Sequence, residues 1–486
     1  MSPLKICLLS SEIVPYAKTG GLADVAGALL HSLRAVGHDV RGFMPLYASV
    51  RKKYRELAPV SAVQQVAIAI GSTEYRYSLQ TARYPGTDIP VYFVDCPALY
   101  DRDALYTLDA DEHRRFILLS RAALESCRRL GFAPQVFHCN DWHTALLPMI
   151  LKTQQAAYPL LASSKSLLTI HNIGYQGVFP ASGAADLGLG SAWSQLDQAD
   201  MAQGWINPLK AGIKFADKVS TVSPTYAREI CDSALGMGLE AALRARADRV
   251  VGILNGVDYQ DWDPAHDAHL TAHFTAQDLR GKAINKEMLI ATAQLDLPPA
   301  RPIIGMVTRL AEQKGIDLLY DALPQLLQAR DFGLVVLGSG DTRYGDFFAD
   351  LAKRFAGRVS YRSGFDEPLA HLIEAGSDAF LMPSRYEPCG LNQMYSLRYG
   401  TIPIVRNTGG LADSVEHFDP ATEKGTGCVF NDYDAPAVRW AVDTVLGWYV
   451  DPKSWQRLIR NAMAKDFSWQ KQIGQYESLY ASMIGD

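Results

Sequence analysis

Short apolar runs alternate with amphipathic segments along almost the whole chain. Each run is rich in Val, Ile, Leu or aromatic residues and is bounded by polar or turn residues, which is typical of buried parallel strands. The segments between the runs have helical spacing. Val25, Leu29, Leu33 and Val36 recur on one helical face, and Gly37 follows as a C-terminal stop. The pattern therefore predicts repeated βα units.

The predicted strands fall into two groups, one in each half of the chain. They are residues 6–9, 91–94, 136–138, 167–170 and 219–222, followed by 303–307, 334–337, 359–361, 379–382 and 402–405. Helices in the second half are predicted over residues 318–327, 369–375 and 391–399. Two such groups predict an α/β protein with two doubly wound, Rossmann-like domains.

The length of the chain also favours two domains, because 486 residues are too many for one ordinary core. We predict an N-terminal domain over residues 1–249 and a C-terminal domain over residues 250–465. Residues 258–278 are interpreted as a loop rich in Asp and His.

Composition argues against some classes of function. The net charge is −5, whereas a protein that binds nucleic acid over its whole surface is usually basic, so no nucleic-acid partner is expected. The seven cysteines are scattered and form no CxxC pair, which indicates reduced thiols. No stretch of about 18 apolar residues occurs, and the first residues lack the pattern of a signal peptide. We therefore expect a cytoplasmic protein without a membrane partner.

Polar or glycine-rich residues follow nearly every predicted strand. In open parallel sheets, ligands bind beyond the carboxyl ends of the strands. For any single segment of this kind, an ordinary polar loop is the better explanation. The whole set predicts that two such edges face each other across one deep cleft.

Residues 18–24 (KTGGLAD) lie between the first predicted strand and the first helix. Two glycines allow backbone N–H groups to approach a ligand, and the helix N-terminus and Lys18 add positive charge, so the segment is a candidate phosphate site. It matches neither GxxxxGK[ST] nor GxGxxG. A tight turn with an exposed lysine remains the alternative.

Two cations follow the first strand of the second half. Arg309 ends that strand and Lys314 begins the next helix, so a guanidinium and an ammonium could hold a diphosphate from two sides. Fixed cations would stabilise the charge that grows on a departing diphosphate. A solvated pair near Glu312 and Asp317 is the alternative.

Residues 383–391 (PSRYEPCGL) form the most informative segment. Glu387 lies between a predicted buried strand and a helix, where its carboxylate can accept hydrogen bonds from sugar hydroxyls. The amides of Cys389, Gly390 and Leu391 precede the helix and can bind hydroxyl or phosphate oxygens. A glutamate favoured by the helix dipole is the alternative. Residues 408–411 repeat the device of a strand, glycines and a helix.

Metal and nucleophile chemistry receive little support. Residues 101–103 and 109–111 are DxD strings, which in some glycosyltransferases hold a divalent ion. Here the first lies in a loop rich in Tyr and Asp, and the second enters a helix, so we interpret them as a solvated loop and a helix start. HExxH and GxSxG do not occur.

Together these motifs resemble those of the bacterial glycogen synthase and plant starch synthase family. The matching segments are residues 18–21, 140–143, 171–172, 255–258, 309–315, 364–367, 384–391 and 408–411. The resemblance implies the two-domain GT-B fold, an ADP-glucose donor, and no metal or other cofactor. It also implies an α-1,4-glucan acceptor (glycogen or a maltooligosaccharide), extended at its non-reducing end with retained anomeric configuration.

The resemblance further implies roles for individual residues. Its implied catalytic residues are Asp141, His171, Arg309, Lys314 and Glu387. Its implied donor-binding residues are Glu12, Lys18, Gly20, Gly21, Tyr100, Asn172, Asn255, Phe365, Ser384, Cys389, Gly390, Leu391, Thr408, Gly409 and Gly410. Phe365 stands where the family places an aromatic residue against adenine. The resemblance also implies that a C-terminal helix within residues 466–486 packs on the first domain.

One departure and several alternatives remain. Many retaining transferases of this fold have a second glutamate eight positions after the first, where this chain has Tyr395. Other enzymes of the fold, such as a glucan phosphorylase, a sugar-nucleotide epimerase or a UDP-glucose-dependent transferase, are alternatives. A non-catalytic glucan-binding protein is another. The residues alone decide neither the nucleotide base nor the oligomeric state.

Overall fold

The computed structural model describes residues 2–485 and divides them into two compact units. Unit 1 comprises residues 2–222, 227–256 and 469–485, and unit 2 comprises residues 223–226 and 257–468. The predicted junction at residue 249 falls before the last strand of unit 1, because Val250–Gly252 still pairs in parallel with Lys218–Thr221.

Unit 1 is built on a ten-stranded mixed sheet and a separate two-stranded sheet. The strands are β1 (Lys5–Leu9), β2 (Asp39–Pro45), β3 (Ala58–Pro59), β4 (Val66–Ile70), β5 (Thr73–Arg83), β6 (Pro90–Asp95), β7 (Val136–Asn140), β8 (Lys165–Ile170), β9 (Phe179–Pro180), β10 (Trp205–Ile206), β11 (Lys218–Thr221) and β12 (Val250–Gly252). The large sheet has the order β12-β11-β8-β7-β1-β2-β6-β5-β3, and β4 pairs with β5.

Helices connect these strands. They are α1 (Gly21–Ala35), α2 (Ala48–Lys53), α3 (Pro97–Tyr100), α4 (Glu112–Arg129), α5 (Leu146–Thr153), α6 (Gln198–Ala202), α7 (Pro208–Phe215), α8 (Pro224–Glu229) and α9 (Glu240–Arg244), with 3₁₀ turns at Gln155–Ala157, Pro159–Leu161, Ala181–Leu187, Gly190–Gln195 and Ala247–Arg249. Helix α1 ends at Ala35, and Gly37 follows with a φ of +100°, as predicted for a C-terminal stop.

Unit 2 has a six-stranded parallel sheet in the order β15-β14-β13-β16-β17-β18. Its strands are β13 (Ile303–Val307), β14 (Gly333–Leu337), β15 (Val359–Arg362), β16 (Ala379–Met382), β17 (Ile402–Arg406) and β18 (Cys428–Phe430). The helices of unit 2 are α10 (Arg280–Thr292), α11 (Leu319–Ala329), α12 (Thr342–Arg354), α13 (Glu367–Gly376), α14 (Asn392–Arg398), α15 (Gly409–Ser414), α16 (Ala435–Tyr449) and α17 (Pro452–Met463), with 3₁₀ turns at Glu312–Lys314 and Ile316–Leu318.

The strand order reverses once in each parallel arrangement. In unit 1 the reversal lies between β1 and β7, and in unit 2 it lies between β13 and β16. Loops diverge from the carboxyl ends of the strands at such a switch point and leave a crevice that binds ligands. The fold thus singles out the segments after these four strands as candidate binding sites.

The last helix, α18 (Trp469–Ile484), belongs to unit 1. It packs along α1, and Tyr480 places its hydroxyl 2.8 Å from Nδ1 of the buried His138 on β7. A buried polar group is stabilised when it has a partner, so this contact fixes the end of the chain on unit 1.

Two further features concern residues 2–485 as a whole. The seven cysteines are unpaired thiols. No helix in this range is long and apolar enough to cross a membrane.

Candidate active site

The loop after β13 is held against the loop after β16 in unit 2. Gly315 has a φ of +68°, and a Cβ at this position would lie 2.0 Å from the carbonyl oxygen of Pro383. Only glycine permits this approach without strain. Arg385 N–H also donates to the Gln313 carbonyl at 2.9 Å. Backbone packing therefore fixes the two loops to each other.

This packing pairs two predicted site residues, Lys314 and Glu387. Nζ of Lys314 lies 2.6 Å from Oε2 of Glu387, and the same oxygen accepts a hydrogen bond from Ser384 Oγ at 2.9 Å. The side chain of Glu387 is 6% exposed and that of Lys314 is 18% exposed. A buried carboxylate requires a compensating charge, and the ammonium of Lys314 supplies it here.

Arg309 stands at the carboxyl end of β13 with an exposed side chain. Within residues 2–485 its guanidinium has no hydrogen-bond or ion-pair partner. A guanidinium presents five donors in a rigid fork that matches phosphate oxygens. Arg309 can therefore bind an anion without first breaking an internal ion pair.

The glycines after β17 lie against the backbone of the Glu387 loop. A Cβ on Gly409 would lie 1.9 Å from the Glu387 carbonyl oxygen, and one on Gly410 would lie 2.1 Å from that of Cys389. The Gly410 N–H donates to the Glu387 carbonyl at 3.1 Å, and Thr408 is buried beside them. The predicted segments after β13, β16 and β17 thus form one continuous surface in unit 2.

Two further predicted features of unit 2 are accessible to a ligand. The backbone N–H groups of Gly390 and Leu391 precede α14, and in the described chain no acceptor takes them. Phe365 is 77% exposed, next to Gly364 with a φ of +110°. An aromatic ring exposed to this extent offers a stacking surface.

In unit 1, the segment after β1 is organised by a buried carboxylate, that of Glu12. Its Oε1 accepts hydrogen bonds from Thr19 Oγ1 at 2.6 Å and from the Tyr106 hydroxyl at 2.5 Å. Its Oε2 accepts the backbone N–H groups of Thr19 and, at 3.4 Å, of Gly20. Glu12 therefore fixes the turn that carries Lys18, whose exposed ammonium pairs with Asp24 at 2.8 Å.

Glu12 itself was predicted to contact the donor, but the structure buries it beneath the turn, with 2% exposure. Tyr106 was not singled out from the sequence, because its loop rich in Tyr and Asp carries no signal for a contact with Glu12.

The segments after β7 and β8 meet at Asp141 and His171. Asp141 has a φ of +54°, and its Oδ1 accepts the backbone N–H of His171 at 2.7 Å and that of Asn172 at 3.4 Å. Nε2 of His171 lies 2.9 Å from Oδ1 of Asn140. Two predicted site residues are thus brought into direct contact.

Burial shifts the ionisation of both groups. Burial lowers the pKa of His171 to about 3, so the imidazole is neutral at physiological pH. Burial raises the pKa of Asp141 to about 7; the backbone hydrogen bonds oppose this rise, and the charge of Glu12 adds to it. The pair offers a neutral hydrogen-bonding ring beside a carboxyl group that titrates near neutrality.

The structure corrects the prediction for Tyr100. Its side chain is fully buried, and its hydroxyl donates to the Arg115 carbonyl at 2.6 Å. Tyr100 therefore belongs to the core of unit 1, where α3 packs on α4, and its hydroxyl is not available to a ligand. Asn255 is also buried, and its Oδ1 has no partner in the described chain.

The carboxylates of the second DxD string, residues 109–111, have an internal cation as partner. Arg102 pairs with Asp109 at 2.8 Å and with Asp111 at 2.7 Å. Among residues 2–485, no group of three or more His, Cys, Asp or Glu side chains is placed to hold a metal ion.

Two family models cover most of the chain. The model of the starch synthase catalytic domain matches residues 5–245, and that of glycosyl transferases group 1 matches residues 290–465. The first range lies in unit 1 apart from residues 223–226, and the second lies in unit 2.

Curated relatives and a solved structure match the chain over its full length. Glycogen synthase of Anaeromyxobacter dehalogenans (strain 2CP-1 / ATCC BAA-258) is 46% identical, with 99% of each chain covered. Glycogen synthase 1 of Geobacter metallireducens is 44% identical, covering 100% of this chain and 97% of that one. The catalytic domain of starch synthase IV from Arabidopsis thaliana, bound to ADP and acarbose, is 34% identical with a TM-score of 0.90 and full coverage of both chains. With two segments joined at the switch point of unit 2 and relatives of this similarity along the whole chain, the protein belongs to the glycogen and starch synthase family of GT-B glycosyltransferases.

Proposed function

We propose that this chain elongates α-1,4-glucans from ADP-glucose, as its family does. It transfers a glucosyl residue to the non-reducing end of the acceptor with retention of anomeric configuration, and it releases ADP. The observation that carries the proposal is the buried Lys314–Glu387 pair, which lies at the switch point of unit 2.

Charge at this switch point suits a diphosphate. Lys314 is bound to Glu387 on one side, and Arg309 presents a guanidinium without an internal partner. As the bond between glucose and phosphate breaks, negative charge grows on the departing ADP, and fixed cations stabilise that charge in the transition state. In this role Arg309 and Lys314 are catalytic residues.

Glu387 and Ser384 suit the sugar end of the donor. Oε2 of Glu387 is already occupied by Lys314 and Ser384, so the carboxylate is held in one orientation. A carboxylate fixed in this way can accept hydrogen bonds from sugar hydroxyls with little further loss of entropy. The N–H groups of Gly390 and Leu391 supply donors for hydroxyl or phosphate oxygens.

Unit 1 contributes a neutral ring and a carboxyl group. His171 is neutral because burial lowers its pKa to about 3, so it can form a hydrogen bond with a hydroxyl without adding a positive charge. Asp141, which holds the backbone of His171, supplies in its ionised form above about pH 7 the negative charge that stabilises positive charge developing on the sugar ring.

The choice of base rests on the solved relative and on Phe365. Starch synthase IV was solved with ADP and acarbose, which supports an adenine nucleotide and a glucan as ligands here. Phe365 is exposed and available to stack on a base. We propose adenine, although an aromatic ring alone would also accept uracil.

We further propose that the reaction needs no metal ion. The cationic side chains of Arg309 and Lys314 supply the charge that a divalent ion supplies to diphosphates in other enzymes. A cytoplasmic location follows the same proposal, because an enzyme that uses a nucleotide sugar and carries seven unpaired thiols fits a reducing compartment.

One assay tests these proposals together. ADP release is measured with ADP-glucose alone, with glycogen alone and with both, and only the last mixture should give turnover. Release of ADP without an acceptor would indicate that the protein hydrolyses ADP-glucose. If no mixture released ADP, the proposed activity would be wrong, and a non-catalytic glucan-binding protein would be the better description. UDP-glucose at equal concentration should compete poorly. Activity that EDTA abolishes and Mg²⁺ restores would contradict the metal-free mechanism.

A further inference from the structure

Asn140, the last residue of β7, links the imidazole of His171 to the backbone of the neighbouring strand β1. Its Nδ2 lies 2.8 Å from the carbonyl oxygen of Leu9, and its Oδ1 lies 2.9 Å from Nε2 of His171. Asn140 is fully buried, and His171 is 9% exposed. The three groups form a chain of hydrogen bonds at the switch point of unit 1.

The order of donors and acceptors in this chain is fixed. A backbone carbonyl can only accept, so the NH₂ group of Asn140 must face Leu9 and its oxygen must face the ring. That oxygen can also only accept, so Nε2 of His171 must carry a hydrogen. Chemistry thus determines both the orientation of the Asn140 amide and which ring nitrogen of His171 carries the hydrogen.

The other ring nitrogen, Nδ1, then carries a lone pair. The ionisable side chains around the ring are Asp141, whose Oδ1 accepts the backbone N–H of His171, and the buried His138 and His143. Burial lowers the pKa of all three imidazoles, so His171 does not gain a second proton near neutral pH. Nδ1 has no hydrogen-bond partner in the described chain.

We propose that Asn140 is a positioning residue that fixes His171 as the neutral Nε2–H tautomer, so that Nδ1 accepts a hydrogen bond from a hydroxyl of the transferred glucose. The inference rests on the proposed function for the identity of the ligand, whereas the tautomer itself does not depend on it. Asn140 does not touch the substrate and acts through the ring.

This arrangement has a consequence for specificity. An acceptor at Nδ1 requires a donor on the ligand, which a hydroxyl supplies and a carboxylate or a fully ionised phosphate does not. A buried acceptor that faces an acceptor costs free energy, so the site discriminates against sugars that carry an anionic group at this position. Neutral hexoses are the class of sugar that fits.

Nitrogen NMR of the full chain tests the tautomer directly. The protein is labelled with ¹⁵N at histidine, and the His171 signals are assigned by their loss in His171→Gln. We expect Nε2 to be protonated and Nδ1 unprotonated between about pH 5.5 and 8.5. In Asn140→Ala the Nδ1–H tautomer should become populated, whereas Asn140→Asp, which keeps an acceptor, should retain Nε2–H.

The control is Asn285→Ala in unit 2. Asn285 is also fully buried, and its Nδ2 donates to the Ala272 carbonyl at 2.6 Å, so its loss removes a comparable hydrogen bond away from His171. The control should leave the His171 signals unchanged. An Nδ1–H tautomer of His171 in the unsubstituted protein would overturn the proposal, and this result needs no variant to fold. The proposal would also be overturned if the His171 signals of Asn140→Ala were identical to those of the unsubstituted protein.

Kinetics with deoxy donors tests the contact itself. Each hydroxyl of the glucose in ADP-glucose is replaced in turn by hydrogen. For one analogue kcat/KM should fall by about tenfold in the unsubstituted enzyme and by much less in Asn140→Ala, because the variant has already lost the contact. The contact would be refuted if, for every analogue, the loss of kcat/KM caused by the missing hydroxyl simply added to the loss caused by Asn140→Ala. An enzyme inactive with ADP-glucose would refute the proposed function and leave the NMR result standing.

Discussion

Lys314 and Glu387 form an ion pair across two loops of unit 2, with Nζ 2.6 Å from Oε2. The two residues lie far apart in the sequence and meet because β13 and β16 are neighbours at the switch point of the sheet. The contact therefore depends on the topology of the sheet. In the proposed mechanism it also couples stability to function, because the same ammonium serves the buried carboxylate and the departing diphosphate.

Lys314→Ala should lower both activity and stability. Loss of a fixed cation at the diphosphate should reduce kcat by about 10²–10³-fold. It also leaves the carboxylate of Glu387 buried without its partner, and because Lys314 is itself only partly buried this should lower the free energy of unfolding by about 1–3 kcal/mol. Steady-state ADP release and urea denaturation measure the two effects.

The double variant Lys314→Ala/Glu387→Gln separates these effects. Removing the orphaned charge should recover much of the lost stability and none of the turnover. Arg330→Ala serves as the control, since Arg330 pairs with Asp443 on the surface of unit 2, where ion pairs contribute about 0–1 kcal/mol. Near-normal turnover of Lys314→Ala would remove Lys314 from the mechanism.

Gly315→Ala should disturb the same site through the backbone. The added Cβ would lie 2.0 Å from the Pro383 carbonyl oxygen, and the φ of +68° is unfavourable for alanine by about 1 kcal/mol. The loop must move, so we expect kcat to fall by at least about tenfold. The melting temperature should fall as well.

Gly447→Ala is the matched control for this change. Gly447 lies within α16, and a Cβ there would meet no atom within 4 Å. Alanine in the interior of a helix is favoured over glycine by about 0.5–1 kcal/mol, so this variant should be slightly more stable with unchanged kcat. Equal activity of Gly315→Ala and Gly447→Ala would show that the position of the loop after β13 is not critical.

Four strands of unit 2, namely β13, β14, β16 and β17, could be predicted closely from the sequence because almost every residue in them is buried. The predicted runs 303–307 and 379–382 coincide with β13 and β16. By contrast, β5 was not predicted, because it pairs antiparallel to β6 and several of its side chains are exposed, so it lacks a continuous apolar run. Strand β2 was not predicted either, because Arg41 and Gly42 interrupt its apolar residues.

The residues of the candidate site also divide into those that the sequence predicts and those that depend on tertiary packing. Residues that follow parallel strands, such as Lys314, Glu387 and His171, could be singled out because position along a βα unit predicts where a loop emerges. Whether a side chain in that loop faces a ligand or the core depends on tertiary packing. Tyr100 faces the core, and Asn140 had no assigned role because its function depends on the carbonyl of Leu9 on another strand.

Glu12→Gln should loosen the turn that carries Lys18. The carboxylate accepts hydrogen bonds from Thr19, Gly20 and the Tyr106 hydroxyl, and an amide in its place has only one acceptor oxygen. We expect the free energy of unfolding to fall by about 1–3 kcal/mol. The KM for ADP-glucose should rise by about tenfold, and both are measured as for Lys314→Ala.

Tyr106→Phe removes only one of the hydrogen bonds that Glu12 accepts, so its effect should be smaller than that of Glu12→Gln. Burial raises the pKa of Tyr106, so its hydroxyl stays protonated and donates to Glu12. Removing this one donor should cost about 1 kcal/mol, less than the loss at Glu12. Tyr320→Phe, which removes a half-exposed hydroxyl that donates to the Arg343 carbonyl, is the control. A larger loss in Tyr106→Phe than in Glu12→Gln would contradict this description of the turn.

Asp141→Asn should stabilise the protein more at alkaline than at acidic pH. Burial raises the pKa of Asp141 from 3.8 to about 7, so between these values the folded state holds a proton that the unfolded state has lost. The free energy of unfolding therefore falls as the pH rises through this range, and the full cost is present above about pH 7. Asparagine keeps an oxygen for the backbone N–H of His171 and does not titrate, so it removes that cost.

Denaturation at pH 5 and pH 8 should show the stability difference between variant and parent growing by about 1–3 kcal/mol, since one pKa unit equals about 1.4 kcal/mol. Asp346→Asn, at an exposed position on α12, should show no such growth. A difference that stays constant between pH 5 and pH 8 would mean that Asp141 is ionised throughout this range, and the carboxyl group could then not account for any change in kcat/KM near pH 7.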